Sequence, residues 1–320
     1  HGMGAMVTWL EQLTYQPPQV GGSPSTASPL HSLAPAAPKR GMVPAAIPPL
    51  AHPALPGEGH WHVVATVAGR PAMAEAFLRP DGVHTSYTAG AVWFDPHLVR
   101  ARLHPGTAQP GGSGWGTPSF LPPAGRTGLL AAFNSGFKLT DAHGGYYQNG
   151  RYASPLVPGG AAMVFYDDGT MTVGQWGRDI TMNSRIAAVR QNLALLVDNG
   201  QVVPGIDGNA RRAWGATIGN KKYVWRSGLG VTQSGGLVEV IGPRLSAHSL
   251  AAVLQRAGCL RAMQLDINPE WTSFVRYEAR GNPANPTPVN LLPDMRRSPA
   301  RYNSVSARDF VALHARSTIR

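Results

Sequence analysis

The sequence predicts an α+β fold with mainly antiparallel or mixed β-sheets, a few helices and a single catalytic-type domain. Gly (38) and Pro (29) together make about a fifth of the 320 residues, which favours short strands and turns over long helices. The hydrophobic content of 43% is enough for a sizeable core and excludes wholesale disorder. Two pairs of apolar segments enclose turn sequences and predict β-hairpins: residues 163–166 and 171–173 around DDGT, and residues 193–197 and 201–203 around DNG.

The composition divides the chain into four parts. Residues 1–6 are interpreted as an expression scar, and residues 7–15 predict a short helical stub. Residues 16–56 are rich in Pro, Ala and Ser, which is typical of an extended linker. Residues 57–320 are expected to form the folded domain. No run of 18 apolar residues occurs, so the sequence predicts no membrane span and leaves open a membrane anchor upstream.

Within the domain, apolar segments predict strands and two segments predict helices. Ser246 as N-cap and Gly258 as C-terminal cap bound one helix. Residues 307–315 predict a second helix, with Phe310 and His314 on one face. The expected strands, besides the two hairpins, are residues 61–67, 73–78, 83–94, 98–103, 129–133, 223–225, 229–231, 237–241 and 262–265.

Charge and cysteine content limit the classes of partner and cofactor. The net charge of +11 and the pI of about 10.3 attract polyanions such as nucleic acid, anionic lipid or a phosphorylated cell-wall polymer. No stripe of basic residues interleaved with aromatic residues occurs, so we expect no nucleic-acid partner. The single cysteine, Cys259, excludes an internal disulfide and a Cys-based zinc site. Calcium is the one cofactor that the sequence suggests, through oxygen ligands at Asp207 and Asn209.

Two polar residues stand at the ends of apolar strands. Asn134 follows LLAAF, and Asp266 follows MQL. A carboxylate that ends a buried strand is costly unless it is hydrogen-bonded or bound to a ligand. Both residues are therefore candidates for a functional site, although Asp and Asn also cap ordinary turns.

Five segments carry a family resemblance through their order and spacing. They are FNSGF at residues 133–137, LLVDNG at 195–200, WGATIG at 214–219, the helical segment 246–258, and LDIN at 265–268 followed by Thr272. In this order they resemble the phosphodiester glycosidase family, which includes the enzyme that uncovers mannose 6-phosphate by removing N-acetylglucosamine from a phosphodiester. The resemblance covers roughly residues 129–277 and implies an extracellular or cell-envelope location.

The sequence departs from the family pattern at three places. Ser135 stands where the family has the first Gly of Asn-Gly-Gly-Phe, and Gly215 stands where it often has Arg. The three glycines that usually follow the aspartate are replaced by the segment Ile-Asn-Pro-Glu-Trp at residues 267–271. The chain therefore resembles a divergent, actinobacterial-like branch of the family, in which the substrate can differ.

The resemblance implies a glycosidase that hydrolyses a sugar-1-phosphodiester of the cell envelope or an exopolysaccharide, with Asp266 as the key carboxylate. A phosphate monoester leaves with little protonation, because its second pKa is about 6. One carboxylate can therefore suffice, where ordinary glycosidases need two. Asn134 is expected to hold a sugar hydroxyl or the attacking water, and Glu270 is the candidate second acid.

Six further residues are expected to contact the substrate. Cationic side chains would hold the phosphodiester and offset its charge, a tryptophan can stack on a sugar face, and two polar residues would complete the pocket. These expected contacts are Arg190, Arg212, Arg226, Trp271, Asn268 and Thr272. Two other functions stay open: a glycoside hydrolase acting on a neutral envelope polysaccharide such as an arabinan, and a non-catalytic wall protein that binds glycan or teichoate.

Overall fold

The computed structural model describes residues 42–208 and 213–316. The predicted scar, the helical stub and the first part of the predicted linker lie outside these residues, as does Arg212. No helix in the described ranges is long and apolar enough to cross a membrane.

The described chain is built from eighteen strands and one α-helix, with short 3₁₀ turns at Pro123–Gly125, Ile218–Asn220 and Arg301–Asn303. The helix is α1 (Ala247–Arg256). The strands are β1 (His62–Val67), β2 (Arg70–Leu78), β3 (Ala89–Phe94), β4 (Val99–His104), β5 (Leu129–Asn134), β6 (Tyr146–Gln148), β7 (Arg151–Ser154), β8 (Ala161–Tyr166), β9 (Met171–Gln175), β10 (Ile186–Gln191), β11 (Leu195–Asp198), β12 (Gln201–Val202), β13 (Val224–Thr232), β14 (Leu237–Leu245), β15 (Cys259–Gln264), β16 (Phe274–Glu278), β17 (Thr287–Asn290) and β18 (Phe310–Ala315).

The strands form three sheets, and every strand pairing in them is antiparallel. The largest has eight strands in the order β1-β2-β3-β14-β13-β15-β11-β12. The other two have five strands each, in the orders β17-β16-β5-β18-β4 and β7-β6-β10-β8-β9. The predicted β-rich α+β class is thereby confirmed, as are both predicted hairpins, which are β8–β9 and β11–β12.

The two faces of the eight-stranded sheet bury different partners. One face packs in a core with residues of both five-stranded sheets, among them Phe133, Phe274 and Met163. The other face packs against α1, whose Leu250 and Leu254 are fully buried. Burial of such side chains stabilises the fold by about 1.5–3 kcal/mol each.

Helix α1 begins where the sequence predicts. The Ser246 hydroxyl accepts a hydrogen bond from the backbone N–H of Ser249, and the Ser249 hydroxyl accepts one from the Ser246 N–H. This reciprocal capping satisfies two of the four unpaired N–H groups at a helix start.

The prediction of a second helix is wrong, because residues 310–315 form strand β18. This strand lies between β5 and β4 in a five-stranded sheet. Phe310 to Leu313 are fully buried, so both faces of the strand are covered. The sequence here therefore lacks the alternation of apolar and polar residues that identifies a half-exposed strand. A short apolar run of this kind has no period that separates a buried strand from a buried helix.

Residues 42–56, the described part of the predicted linker, lie against the domain. Ile47 and Ala51 are fully buried, and the Ile47 N–H donates to the Gly59 carbonyl at 2.8 Å. The Arg79 guanidinium donates to the carbonyls of Ala51 and Pro53. This part of the segment therefore packs as a strap on the eight-stranded sheet.

Candidate active site

The candidate site lies where the ends of β5 and β15 meet the start of β18. Asp266 follows β15 by two residues, and Asn134 is the last residue of β5. Arg308 and Asp309 directly precede β18, whose first residue, Phe310, pairs with Asn134. Polar residues at strand ends of the eight-stranded sheet and of one five-stranded sheet thus lie close together.

The Asp266 carboxylate is buried and hydrogen-bonded on both oxygens. Its Oδ1 accepts from the backbone N–H groups of Ile267 (2.7 Å) and Asn268 (2.9 Å). Its Oδ2 accepts from Arg308 Nη2 at 2.8 Å, and the side chains of Asp266 and Arg308 are 4% and 11% exposed. The pair is a charge-assisted hydrogen bond in a place with little water, where such bonds are strong.

Burial decides the protonation behaviour of Asp266. Loss of solvent raises the pKa of its carboxyl above the ordinary aspartate value, while Arg308 and the two backbone N–H groups lower it and offset part of the rise. A carboxylate whose pKa is raised is a stronger base and takes a proton more readily near neutral pH. The arrangement suits a carboxylate that either attacks carbon or removes a proton from water.

Asp266 and Arg308 line an open pocket of about 560 Å³. This volume is in the usual range for small-molecule sites. The wall carries the Asp266 and Arg308 side chains, an exposed lysine and more than one aromatic ring. It also includes Phe137, Lys138, Asp141, His143, Gly215, Ile267, Asn268 and Trp271.

Gly215 shapes this pocket. It has φ +97°, and a Cβ added there would lie 2.8 Å from the Phe137 ring and 2.9 Å from Ile267 Cδ1. A side chain at this position would therefore need a strained backbone and would collide with two pocket walls. The cation at Asp266 in this pocket is Arg308, from the segment directly before β18.

A second, much smaller cavity of about 10 Å³ adjoins Asp266 and Arg308. It also borders Ser135, and both Ser135 Oγ and Arg308 Nε are buried without a hydrogen-bond partner among the described residues. The space matches a single water, which needs polar partners of this kind.

Asn134 is held by the protein on all sides. Its Oδ1 accepts from the Ser273 N–H (2.9 Å), and its Nδ2 donates to the Ser135 carbonyl and to Ser227 Oγ. Ser227 Oγ in turn accepts from the Asp266 N–H at 3.2 Å. The structure thus links Asn134 to Asp266 through Ser227, and the geometry favours a residue that positions the Asp266 backbone.

Arg190 is fully buried and paired with Asp309. Its Nε donates to Asp309 Oδ2 at 2.8 Å, its Nη1 donates to the Gln191 carbonyl, and its Nη2 donates to the Phe137 carbonyl. Neither member of the pair is exposed, and Arg190 does not line the pocket. The guanidinium therefore supports the wall from behind, with no N–H group turned to a ligand.

Arg226 is likewise buried away from the pocket wall. Its donors bond to the Leu245 carbonyl (2.8 Å) and to Gln264 Oε1 (2.9 Å). Burial lowers the pKa of this guanidinium to about 10. Like Arg190, it supports the framework in this geometry.

The segment that follows Asp266, residues 267–272, forms a compact turn. The Asn268 carbonyl accepts the N–H groups of Trp271 and Thr272 and the Thr272 hydroxyl, and Asn268 Oδ1 accepts from the Glu270 N–H. Asn268 and Trp271 line the pocket, whereas Thr272 is buried within the turn. The turn holds Trp271 beside Asp266.

Glu270 faces the arginines of a neighbouring loop. Its carboxylate is bonded to Arg296 and lies 3.8 Å from Arg297 Nη1. It does not line either cavity beside Asp266. Asp266 therefore lines both cavities without Glu270, which lies on the loop side, while the neighbouring Asp309 is paired with Arg190.

The predicted calcium ligands are only partly described, since Asn209 lies outside the described ranges. Asp207 is bonded to His248 (2.7 Å) and Lys222 (3.0 Å), so its carboxylate already has two side-chain partners. Within residues 42–208 and 213–316, no group of three or more His, Cys, Asp or Glu side chains could hold a metal ion.

Three basic residues of the pocket wall were not predicted from sequence: Arg308, Lys138 and His143. Arg308 stood inside the segment expected to be helical, so its position at a strand start beside Asp266 was not foreseen. Lys138 and His143 follow Asn134 in the segment after β5, and residues of this segment line the pocket. Their closeness in sequence to FNSGF is the one feature of the sequence that could have predicted their position at the site.

The fold is similar to that of the catalytic domain of zebrafish N-acetylglucosamine-1-phosphodiester alpha-N-acetylglucosaminidase, a domain described as auto-inhibited by its pro-peptide. The TM-score is 0.50 at 14% identity, over 80% of this chain and 88% of that chain. At this identity the likeness shows the fold.

Two other solved structures show lower similarity. One is a hypothetical protein from Synechocystis (TM-score 0.47, 12% identity, 78% of this chain and 63% of that chain). The other is a protein from Burkholderia pseudomallei described as exported (TM-score 0.41, 12% identity, 73% and 75%). No family model and no curated protein sequence matches the chain.

Proposed function

We propose that this protein is a hydrolase that cleaves the bond between a sugar and the phosphate of a phosphodiester, with Asp266 as its key carboxylate. The observation that carries the proposal is the buried Asp266–Arg308 pair on the wall of a 560 Å³ pocket that also presents the exposed Lys138. The fold shared with the zebrafish enzyme supports the same class of reaction. An exported, envelope-linked setting is part of this proposal.

The reaction needs little from a second acid. When the bond from the anomeric carbon to the phosphate oxygen breaks, the leaving phosphate monoester takes the electron pair and departs as a dianion, which needs little protonation because its second pKa is about 6. The carboxylate of Asp266 either attacks the anomeric carbon to form a sugar ester that water then hydrolyses, or accepts a proton from the water that attacks that carbon. Neither route uses Glu270, whose carboxylate is bonded to Arg296 and lies outside the pocket wall.

Two cationic side chains are placed to stabilise the leaving group. Lys138 is exposed on the pocket wall, and the Arg308 guanidinium reaches the wall while it holds Asp266 Oδ2. Fixed positive charge at a developing oxyanion lowers the barrier most where water is scarce. Lys138 and Arg308 therefore replace Arg190 and Arg226 as the proposed phosphate contacts.

Activity on two panels of substrates tests the proposal, one of sugar-1-phosphodiesters and one of neutral glycans. Release of sugar from the first panel alone is the expected result. Cleavage of neutral glycans would instead support the polysaccharide hydrolase, and binding without turnover would support the wall-binding protein. Either of these results would overturn the proposed reaction.

Two matched variants test the role of Asp266. Asp266→Asn should lower kcat/KM by about a thousandfold or more, since it removes the reacting carboxylate. Asp167→Asn changes an exposed acid in the turn between β8 and β9, away from this pocket, and should leave kcat/KM within a few fold of the unsubstituted protein. Circular dichroism verifies that both variants are folded, and full activity in folded Asp266→Asn would remove Asp266 from the mechanism.

A further inference from the structure

The loop beside the pocket gathers positive charge around one tryptophan. The Cζ atoms of Arg297, Arg301 and Arg308 lie 5.3, 5.6 and 5.0 Å from the centre of the Trp271 ring. Arginines at such distances are attracted to the ring face. Trp271 itself lines the pocket that contains Asp266.

The nearby carboxylates neutralise only part of this charge. Arg308 is paired with Asp266, and Arg296 is bonded to Glu270. Arg297 lies 3.8 Å from the second Glu270 oxygen, which is beyond hydrogen-bond distance. Among the described residues no carboxylate lies within 4.0 Å of the Arg301 guanidinium, which donates instead to the Glu270 backbone carbonyl at 3.2 Å.

The remaining positive charge lies next to Trp271, on Arg297 and Arg301. Arg301 borders the small cavity next to Asp266, and the Arg297 side chain is 44% exposed. Two guanidiniums gathered on one tryptophan ring repel each other, and an anion bound near them offsets that repulsion. The arrangement is therefore one that an anionic group beside Trp271 would stabilise.

We propose that Arg297 and Arg301, held on Trp271, form a second anion-binding subsite, and that the substrate is a glycan with more than one phosphate. The inference rests on the proposed function, because the first phosphate is the one that leaves at Asp266. The subsite takes the next phosphate along the same molecule. It makes the substrate class an oligomer or polymer of phosphodiester-linked sugars.

A glycan phosphate fits this subsite better than a nucleic acid does. Proteins that track a single-stranded nucleic acid use several aromatic side chains on which successive bases stack. Here one ring, Trp271, carries the arginines, and the adjoining Tyr302 is buried. Two guanidiniums beside a concave pocket match a short stretch of charged glycan.

Calorimetric titration with inorganic tripolyphosphate tests the subsite without any need for turnover. The variant Arg297→Gln/Arg301→Gln should weaken tripolyphosphate binding at least about tenfold and make Kd less dependent on salt concentration. The control Arg70→Gln/Arg280→Gln removes the same charge from two exposed arginines elsewhere and should match the unsubstituted protein. Equal loss in both variants would reduce the effect to net charge and overturn the subsite.

Two further measurements separate this inference from the proposed function. With substrates that carry one or two phosphates, the Arg297/Arg301 variant should raise KM about tenfold for the second only, with kcat unchanged. If tripolyphosphate binding depends on Arg297 and Arg301 but the protein hydrolyses no substrate, the subsite is supported and the proposed hydrolase function is refuted. Tighter binding of a single-stranded DNA 12-mer than of a phosphoglycan of equal charge would overturn the assignment to glycans.

Discussion

Replacement of Arg190 by methionine distinguishes a framework arginine from a substrate contact. Arg190 and Asp309 are both fully buried, and their closest atoms are 2.8 Å apart. Removal of one member of a buried pair leaves the other charge without compensation and costs about 3–5 kcal/mol. Arg190→Met should therefore lower the free energy of unfolding in urea by about 3–5 kcal/mol, a large part of the roughly 5–15 kcal/mol typical of a domain.

A double variant tests whether the lost stability comes from the unpaired charge of Asp309. Arg190→Met/Asp309→Leu removes both charges, so no buried ion is left unpaired, and most of the lost stability should return. Arg185→Met serves as the control, because its pair with Asp168 is exposed on both sides and such pairs contribute about 0–1 kcal/mol. A loss below about 1 kcal/mol in Arg190→Met, together with a raised KM, would refute the framework role and restore Arg190 as a phosphate contact.

The structure supports two further predictions. Burial lowers the pKa of His104 from 6.5 to about 4, so the unfolded chain binds more protons below pH 6.5 and stability is lost as the pH falls towards 4. The drop of about 2.5 pH units corresponds to about 3 kcal/mol. Urea unfolding at several pH values should show this loss, and His104→Gln should abolish that part of the slope. Gly215→Ala should lower stability by about 1–3 kcal/mol and weaken ligand binding, because of its positive φ and the Phe137 contact; unchanged stability would contradict the steric argument at this position.

Local patterns predicted the elements whose signals are contained within a few residues. The turn DDGT between apolar arms specified β8–β9, and Ser246 with its downstream apolar spacing specified α1. Strand β18 carried no such signal, because its neighbours β4 and β5 lie far away in the chain. Its conformation follows from partners about 180 to 210 residues away in the sequence, which a local pattern does not contain.

The candidate site was predictable as far as its residues end apolar strands. Asp266 and Asn134 were identified in this way, and both are buried at the meeting of two sheets. The arginines were not predictable, because a guanidinium at the end of a long side chain can face a pocket or the core from the same sequence context. Arg190 and Arg308 differ by their partners, Asp309 and Asp266, and only tertiary structure assigns them.

The two buried ion pairs are joined through the chain, and this links stability to the chemistry of the site. Arg308 and Asp309 are consecutive, so the Arg190–Asp309 pair fixes the backbone from which Arg308 reaches Asp266. Arg190 Nη2 also bonds the Phe137 carbonyl, and Arg308 Nη2 bonds the Gly136 carbonyl, so both guanidiniums hold the segment after β5. A structural arginine that moves would displace the cation at Asp266 and the pocket wall together. The framework pair is therefore a means of holding the Asp266–Arg308 pair in place, as a preorganised site requires.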